Sequence, residues 1–528
     1  MEKNPSKVMF DRRSHLPFER PCAPPSHHGH CVPEATPPSL RTRTGWSLLA
    51  QGAPAITAAA CVPILTRALG TERLGILLLV WTMFGMTGVA DLGIGRSLTQ
   101  MVATRRARGL ATDLRGVVGL GISVALAIGL VGGLGLMLAA SSLFAHMDLA
   151  PDISVETRWT TILMAAALPM LVVASALRGV LEGLERFDLS AHVRITVGVL
   201  TFAGPALLVP VTPRADAAVG LLVAVRFLGL LTLALMVIRV LPATDHAPNS
   251  RRAILYEILS LGGWTTVSNL ASSAMVYADR FVIGTLVSAS AVAFYTVPSE
   301  VVTRLLIAPI AIGTVWLPAF ARTSSTDAAA VRSLSERGLR LLIACLVPPL
   351  VAAAALAEPL LRIWAGPEFA TDGATVLRWL ALGVLFNGVA QIPFALLFAR
   401  GRPKLVAIIH LFELPIYVAL IAWVLPKYGI AGAGAAWAGR TAIDAAALFA
   451  ATALVEPAAL GRASLVVPWL GVGGLLILAA AVLSDLTSPG TAAALVTSLS
   501  LLWAWFALLT ADWRNELRER AARTFERP

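Results

Sequence analysis

Residues Ala217 to Ile238 read AAVGLLVAVRFLGLLTLALMVI, a run of 22 residues bounded by Asp216 and Arg239 in which Arg226 is the one ionisable side chain. At about 1.5 Å of rise per residue, a helix of this length covers the ~30 Å of hydrocarbon in a bilayer. Comparable apolar runs, separated by short charged loops, fill the chain from Gly45 to Ala511. Of the 528 residues 57% are apolar and 14% charged, with a mean hydropathy of +0.76; about 25% charged is usual for a soluble globular protein. So little polar surface cannot cover a water-facing molecule. The runs are too long and too evenly apolar for barrel strands, and a chain in lipid must satisfy its own backbone hydrogen bonds, which leaves helices. The fold expected is all-α and integral to the membrane.

The formal charge of +11 comes from Lys and Arg scattered over loops, not gathered on one face, so nucleic acid is not an expected partner. Fourteen spans are expected, the first centred near residue 55 and the last near 501. With a cytoplasmic N-terminus the even-numbered loops hold most of the Lys and Arg, among them Arg105, Arg106, Arg108, Arg115, Arg251, Arg252 and Arg402. The positive-inside rule then places both termini in the cytoplasm. Residues 1–44, rich in Pro, Ser, His and Arg, read as a disordered tail. Its His27, His28, His30 and Cys31 have no fixed geometry for a metal. The other cysteines, Cys22, Cys61 and Cys345, make no paired motif. No metal or cofactor is expected.

Two halves emerge when the sequence is shifted against itself. Val211 to Arg226 (VTPRADAAVGLLVAVR) overlays Leu425 to Arg440 (LPKYGIAGAGAAWAGR), matching Ala217 with Ala431, Gly220 with Gly434, Ala224 with Ala438 and Arg226 with Arg440; the same shift pairs Gly70-Thr71 with Gly284-Thr285. That pattern predicts two parallel six-helix repeats, residues 45–241 and 253–456, followed by two more helices over 463–511 and a basic cytoplasmic tail over 512–528.

A charge at mid-membrane costs about 2.5–3.5 kcal/mol on insertion scales, so ionisable residues inside spans are functional candidates. They are Arg226, Asp279, Arg280, Glu300, Arg304, Glu413, Arg440 and Asp444. Glu300 with Arg304, and Arg440 with Asp444, stand four apart and can neutralise each other on one helical face. Arg226 has only uncharged neighbours within four positions, and Arg280 has only Asp279 beside it. These two need a partner from elsewhere: a bound anion, Glu413, or an acid on the eighth span. A guanidinium stays charged and grips phosphate oxygens with a planar fork, which suits an anionic, phosphorylated ligand. No P-loop, Gly-x-Ser-x-Gly elbow or His-Glu-x-x-His motif is present, so the chain is not expected to be an enzyme or to drive transport with ATP. Pro54, Pro63, Pro169, Pro205, Pro309, Pro348, Pro393 and Pro415 interrupt or border spans and suit helices that bend during alternating access.

Ile64 to Ala90, ILTRALGTERLGILLLVWTMFGMTGVA, with DLGIGRSLTQMVA over Asp91 to Ala103, resembles the opening of the polysaccharide transport family of the MOP superfamily, the O-antigen and exopolysaccharide flippases. YADRFVIGTLVSASAVAFYTVPSE (Tyr277 to Glu300), LPAFAR (Leu317 to Arg322) and YGIAGAGAAWAGRTAID (Tyr428 to Asp444) agree with it, and the similarity covers about residues 45–460. The resemblance implies two six-helix bundles around a central cavity, as in the related multidrug exporters, with two added helices. It further implies a bacterial inner-membrane location and a substrate of oligosaccharide on undecaprenyl pyrophosphate, moved outward by alternating access beside the polymerase or glycosyltransferases of the pathway. Cavity-facing cations are that family's expected contacts, and Arg226, Arg280, Arg304 and Arg440 fit by position. Arg67 and Arg96 fall in the family's recurrent segments near span ends, where anchoring explains them. The alternative within the fold is a cation-coupled multidrug exporter. Many of those carry a carboxylate in the first helix, whereas Gly45 to Leu65 has none. Ion coupling would then fall on Asp279, Glu300, Glu413 or Asp444.

Overall fold

Apolar runs that bond their own backbone give helix, and in the computed structural model every regular element among the described residues is helical, with no strand. The structure describes residues 40–85, 93–107, 114–145, 151–241, 252, 254–256, 275–323, 327–457, 463–486 and 488–508. The span expected near 267 lies outside them, as do the His and Cys of the N-terminal tail and the basic C-terminal tail.

The first group of helices is α1 (Leu40–Gly85), α2 (Ile94–Ala107), α3 (Leu114–Ala145), α4 (Pro151–Gly183), α5 (Phe187–Leu208) and α6 (Ala215–Val240). The second is α7 (275–286), α8 (Ala289–Thr303), α9 (Ile307–Arg322), α10 (Ala328–Ala355), α11 (Ala357–Trp364), α12 (Ala370–Ala399), α13 (Pro403–Val455), α14 (Ala463–Leu486) and α15 (Pro489–Leu508). Helix α1 begins at Leu40, inside the segment expected as tail.

Nine helices among the described residues are long and apolar enough to cross a membrane, and two of those nine each hold two expected spans. Both double helices break at a glycine. Gly70 (φ 72°, ψ 171°) divides α1 and Gly429 (φ 60°, ψ −155°) divides α13, in backbone conformations that a Cβ disfavours. The prolines inside these helices, Pro54, Pro63, Pro415 and Pro426, sit in backbone that stays helical.

Most of the helix packing runs within one group or the other. Helices α3 and α4, α1 and α5, and α4 and α6 pack together in the first group, and α12 with α13, α10 with α12, and α9 with α12 in the second. Helices α14 and α15 lie on α10, adding Ile477, Ala480, Ala493 and Val496 to the second group's apolar core. The groups meet chiefly where α1 crosses α8. That approach depends on Gly75, because a Cβ there would stand 1.8 Å from the Ala289 carbonyl oxygen. Beside it, the Thr71 hydroxyl donates to Ser290 Oγ at 3.3 Å.

Candidate functional site

A cavity of about 380 Å³ opens where the two groups face each other. From the first group it takes Ala55, Ala58, Ala59 and Val62 on the arm of α1 before Gly70, Leu78, Trp81 and Thr82 on the arm after it, and Phe202 of α5. From the second it takes Tyr277, Arg280, Thr296, Glu300, Val301 and Arg304, with Leu360 and Trp364 of α11. One wall is therefore largely apolar, with Ala55, Ala58 and Ala59 of α1 beside the rings of Trp81 and Phe202. The opposite wall carries two guanidinium groups and one carboxylate.

The charged wall is held from within the second group. Arg304 is paired with Glu300 four residues earlier, as their spacing leads one to expect. Arg280 is buried, with one Nη donating to the Val276 carbonyl at 3.1 Å and the other to Ser299 Oγ at 3.3 Å, and Glu300 lies 4.0 Å away. Its guanidinium stands 5.3 Å from the Tyr277 ring, while its Nε, Thr296 Oγ1 and Trp81 Nε1 lack a hydrogen-bond partner. Two cations share one anion at this wall, so its formal charge is positive. Asp279 turns the other way and is buried, accepting from the Tyr295 hydroxyl at 2.7 Å and the Tyr417 hydroxyl at 3.5 Å.

Arg226 and Arg440, matched in the sequence overlay, are not brought together around this cavity and are absent from its wall. Arg226 stacks over the Phe84 ring, 3.5 Å from its centroid, and reaches the Leu222 carbonyl at 3.4 Å; no carboxylate pairs with it among the described residues. Neither Glu413 nor an acid of α8 is its partner. Arg440 lies inside the second group, 3.9 Å from Glu413 and 5.2 Å from the Tyr417 ring. The expected Arg440–Asp444 pairing is replaced, because the break at Gly429 folds the two arms of α13 against each other. Asp444 then faces His410 at 3.3 Å, while Arg440 faces Glu413.

Several site residues escape a reading by charge. Trp81, Trp364 and Tyr277 look like ordinary apolar positions, and His410 becomes visible as a partner only once α13 is bent. Glu156, 3% exposed, accepts from Arg73 Nε at 3.1 Å and from the Ala215 backbone N–H at 2.9 Å, with Asp152 on the same guanidinium. The four-residue spacing of Asp152 and Glu156 at the head of a span was its signal. Arg67, expected as an anchor, donates to the Ile363 carbonyl at 3.3 Å, across the groups. No cluster that would hold a metal ion occurs among the described residues.

The fold matches solved structures at low identity. A lipid II flippase MurJ in an inward closed conformation aligns with a TM-score of 0.69 at 13% identity, covering 90% of this chain and all of that one. An inward-facing MATE multidrug transporter of the MOP superfamily gives 0.66 at 15%, covering 79% of this chain and 96% of that one. In sequence, a Shigella flexneri protein named "Putative O-antigen transporter" is 28% identical over 411 residues, 77% of this chain and 96% of that protein. The family model described as polysaccharide biosynthesis protein matches residues 40–324, more than half of the chain. The resemblance read from the span motifs is thereby borne out: the chain belongs to the polysaccharide biosynthesis protein family, and its fold is that of the MATE and MurJ structures.

Proposed function

We propose that this protein is a flippase that carries oligosaccharide repeat units on undecaprenyl pyrophosphate across the bacterial inner membrane for O-antigen or exopolysaccharide synthesis, without covalent chemistry. The observation that carries the reading is the cavity itself: an apolar wall from α1 opposite Arg280 and Arg304, which share the single carboxylate of Glu300. A lipid-linked pyrophosphate is apolar at one end and anionic at the other, and such a cavity complements both. In this reading the chain has fourteen spans, two six-helix halves related by the repeat, and cytoplasmic termini. The seam at Gly70 then faces the periplasm and the polymerase or glycosyltransferases stay at the membrane faces. Arg226 serves as a third cation, held against Phe84 outside the cavity wall, and Arg440 as the charge balancing Glu413. Ion coupling falls on Asp279, Glu413 and Asp444, with Glu300 in the cavity.

An exporter of amphipathic cations would be expected to line its cavity with a net negative charge. The excess of arginine in this wall favours the anion. A charge-assisted hydrogen bond contributes about 1.5–3 kcal/mol, so Arg280→Gln is expected to lower the flipping rate at least about tenfold. The measurement is the leaflet distribution of lipid-linked repeat units in membranes of the variant, with surface glycan as the second readout. Accumulation in the inner leaflet is the expected result; a distribution equal to the parent's overturns the reading.

A further inference from the structure

Pro63 has no N–H, so the carbonyl of Ala59, four residues before it on α1, loses the donor that a regular helix would supply. Ala59 is an exposed position of an apolar span, and a carbonyl left unpaired in hydrocarbon is costly. Here the vacancy is filled from the other half of the molecule, where Trp364 Nε1 donates to the Ala59 oxygen at 2.8 Å. Both residues line the cavity.

Trp364 closes α11, a helix unlike its neighbours. It is eight residues long and stands between a bend at Leu356 (φ −94°, ψ 12°) and Gly366, whose φ is 124°. Its faces are divided. Ala357 and Leu361 join the apolar core around the first arm of α1, Glu358 and Arg362 pair on the exposed side, and Leu360 and Trp364 reach the cavity. A second bond, from Arg67 to the Ile363 carbonyl, ties the same end of α11 to α1. The helix is thus a short bar across the seam, fastened at its last turn and bent at each end.

We infer that the Trp364–Ala59 hydrogen bond is the latch by which occupancy of the cavity is coupled to parting of the two halves, and that a hydroxyl-bearing ligand releases it. A hydroxyl both accepts and donates. Inserted between the two groups, it accepts from Trp364 Nε1 and donates to the Ala59 oxygen, so neither is left unpaired when α11 leaves α1. A phosphate oxygen, which only accepts, leaves the Ala59 carbonyl bare. The chemistry that opens the latch is that of a sugar, and the pyrophosphate stays with Arg280 and Arg304. The ligand's identity rests on the flippase reading; the latch itself does not.

Disulfide formation between Thr71→Cys and Ser290→Cys reports closure of the seam, in full-length protein whose four native cysteines are replaced by serine. The rate is measured in membranes without added substrate and normalised to inserted protein. Trp364→Phe keeps the ring and removes the donor, and it is expected to slow cross-linking about fivefold. Pro63→Ala restores a helical donor to Ala59, makes Trp364 redundant, and should slow cross-linking in the same direction. A Trp364→Phe rate equal to the parent's overturns the latch; should that variant fail to insert, Pro63→Ala at the parent's rate does the same. A protein that flips no lipid-linked sugar yet cross-links more slowly with Trp364→Phe refutes the flippase reading and keeps the latch.

Discussion

The absence of one methyl group at position 75 sets how closely α1 and α8 approach, since a Cβ there would stand 1.8 Å from the Ala289 oxygen. The nearest obstacle is backbone, which cannot swing aside, and forcing extra volume into a packed contact costs about 1–3 kcal/mol. Gly75→Ala should therefore lower the thermal midpoint of the purified protein by several degrees and slow the Thr71→Cys/Ser290→Cys cross-link; unchanged values of both would show that the seam yields without cost. At this scale the sequence is informative about charge and silent about neutral partners. Arg280 and Arg304 stand out because a guanidinium in an apolar run needs a reason, and both line the cavity. Arg226 stands out equally, yet the ring beneath it, Phe84, lies 142 positions away along the chain. Trp364 gives no signal of its own, because its task exists only through Pro63.

Elements long enough to cross a membrane were legible from length and composition alone, and α11 was not, since eight residues between two spans look like a loop. Where an element ends on charge, the ends can be tested. Arg400, just after α12, binds Glu456 after α13 through Nε at 2.6 Å and Nη2 at 3.0 Å, and its Nη1 donates to the Phe320 and Thr323 carbonyls at the end of α9. One side chain thus closes three helix ends, and its carboxylate partner is largely buried. Removing one member of a buried pair costs about 3–5 kcal/mol because the other charge is stranded. Arg400→Ala should accordingly unfold the second half at a clearly lower temperature in detergent, with Arg400→Ala/Glu456→Ala recovering part of the loss. A double variant as unstable as the single one would mean that the carbonyl bonds, not the ion pair, matter.

Across the whole molecule, the expectation of two repeats rested on small residues and one arginine per half, Arg226 and Arg440. Most helix packing falls within one group or the other, and the two arginines find different surroundings: an aromatic ring for Arg226, a carboxylate for Arg440. Matching positions in a sequence overlay do not carry matching partners, because the partners come from other elements of the chain. The ion pairs described above, Arg73 with Asp152 and Glu156, Arg280 and Arg304 with Glu300, Arg440 with Glu413, and Arg400 with Glu456, each lie within one group. The seam contacts described above, among the described residues, are neutral or singly charged: a hydroxyl pair, an indole on a carbonyl, a guanidinium on a carbonyl and apolar contact. Separating these contacts strips no carboxylate from its cation, so salt screening has little to act on. The rate of seam opening should hold within about twofold between dilute buffer and 1 M salt, where the Debye length shrinks to ~3 Å, and a steep salt dependence would point to an ionic gate instead. Opening is then expected to be an event of wetting, in which water takes the place of hydroxyl, indole and guanidinium contacts to neutral oxygens and no ion pair is exchanged.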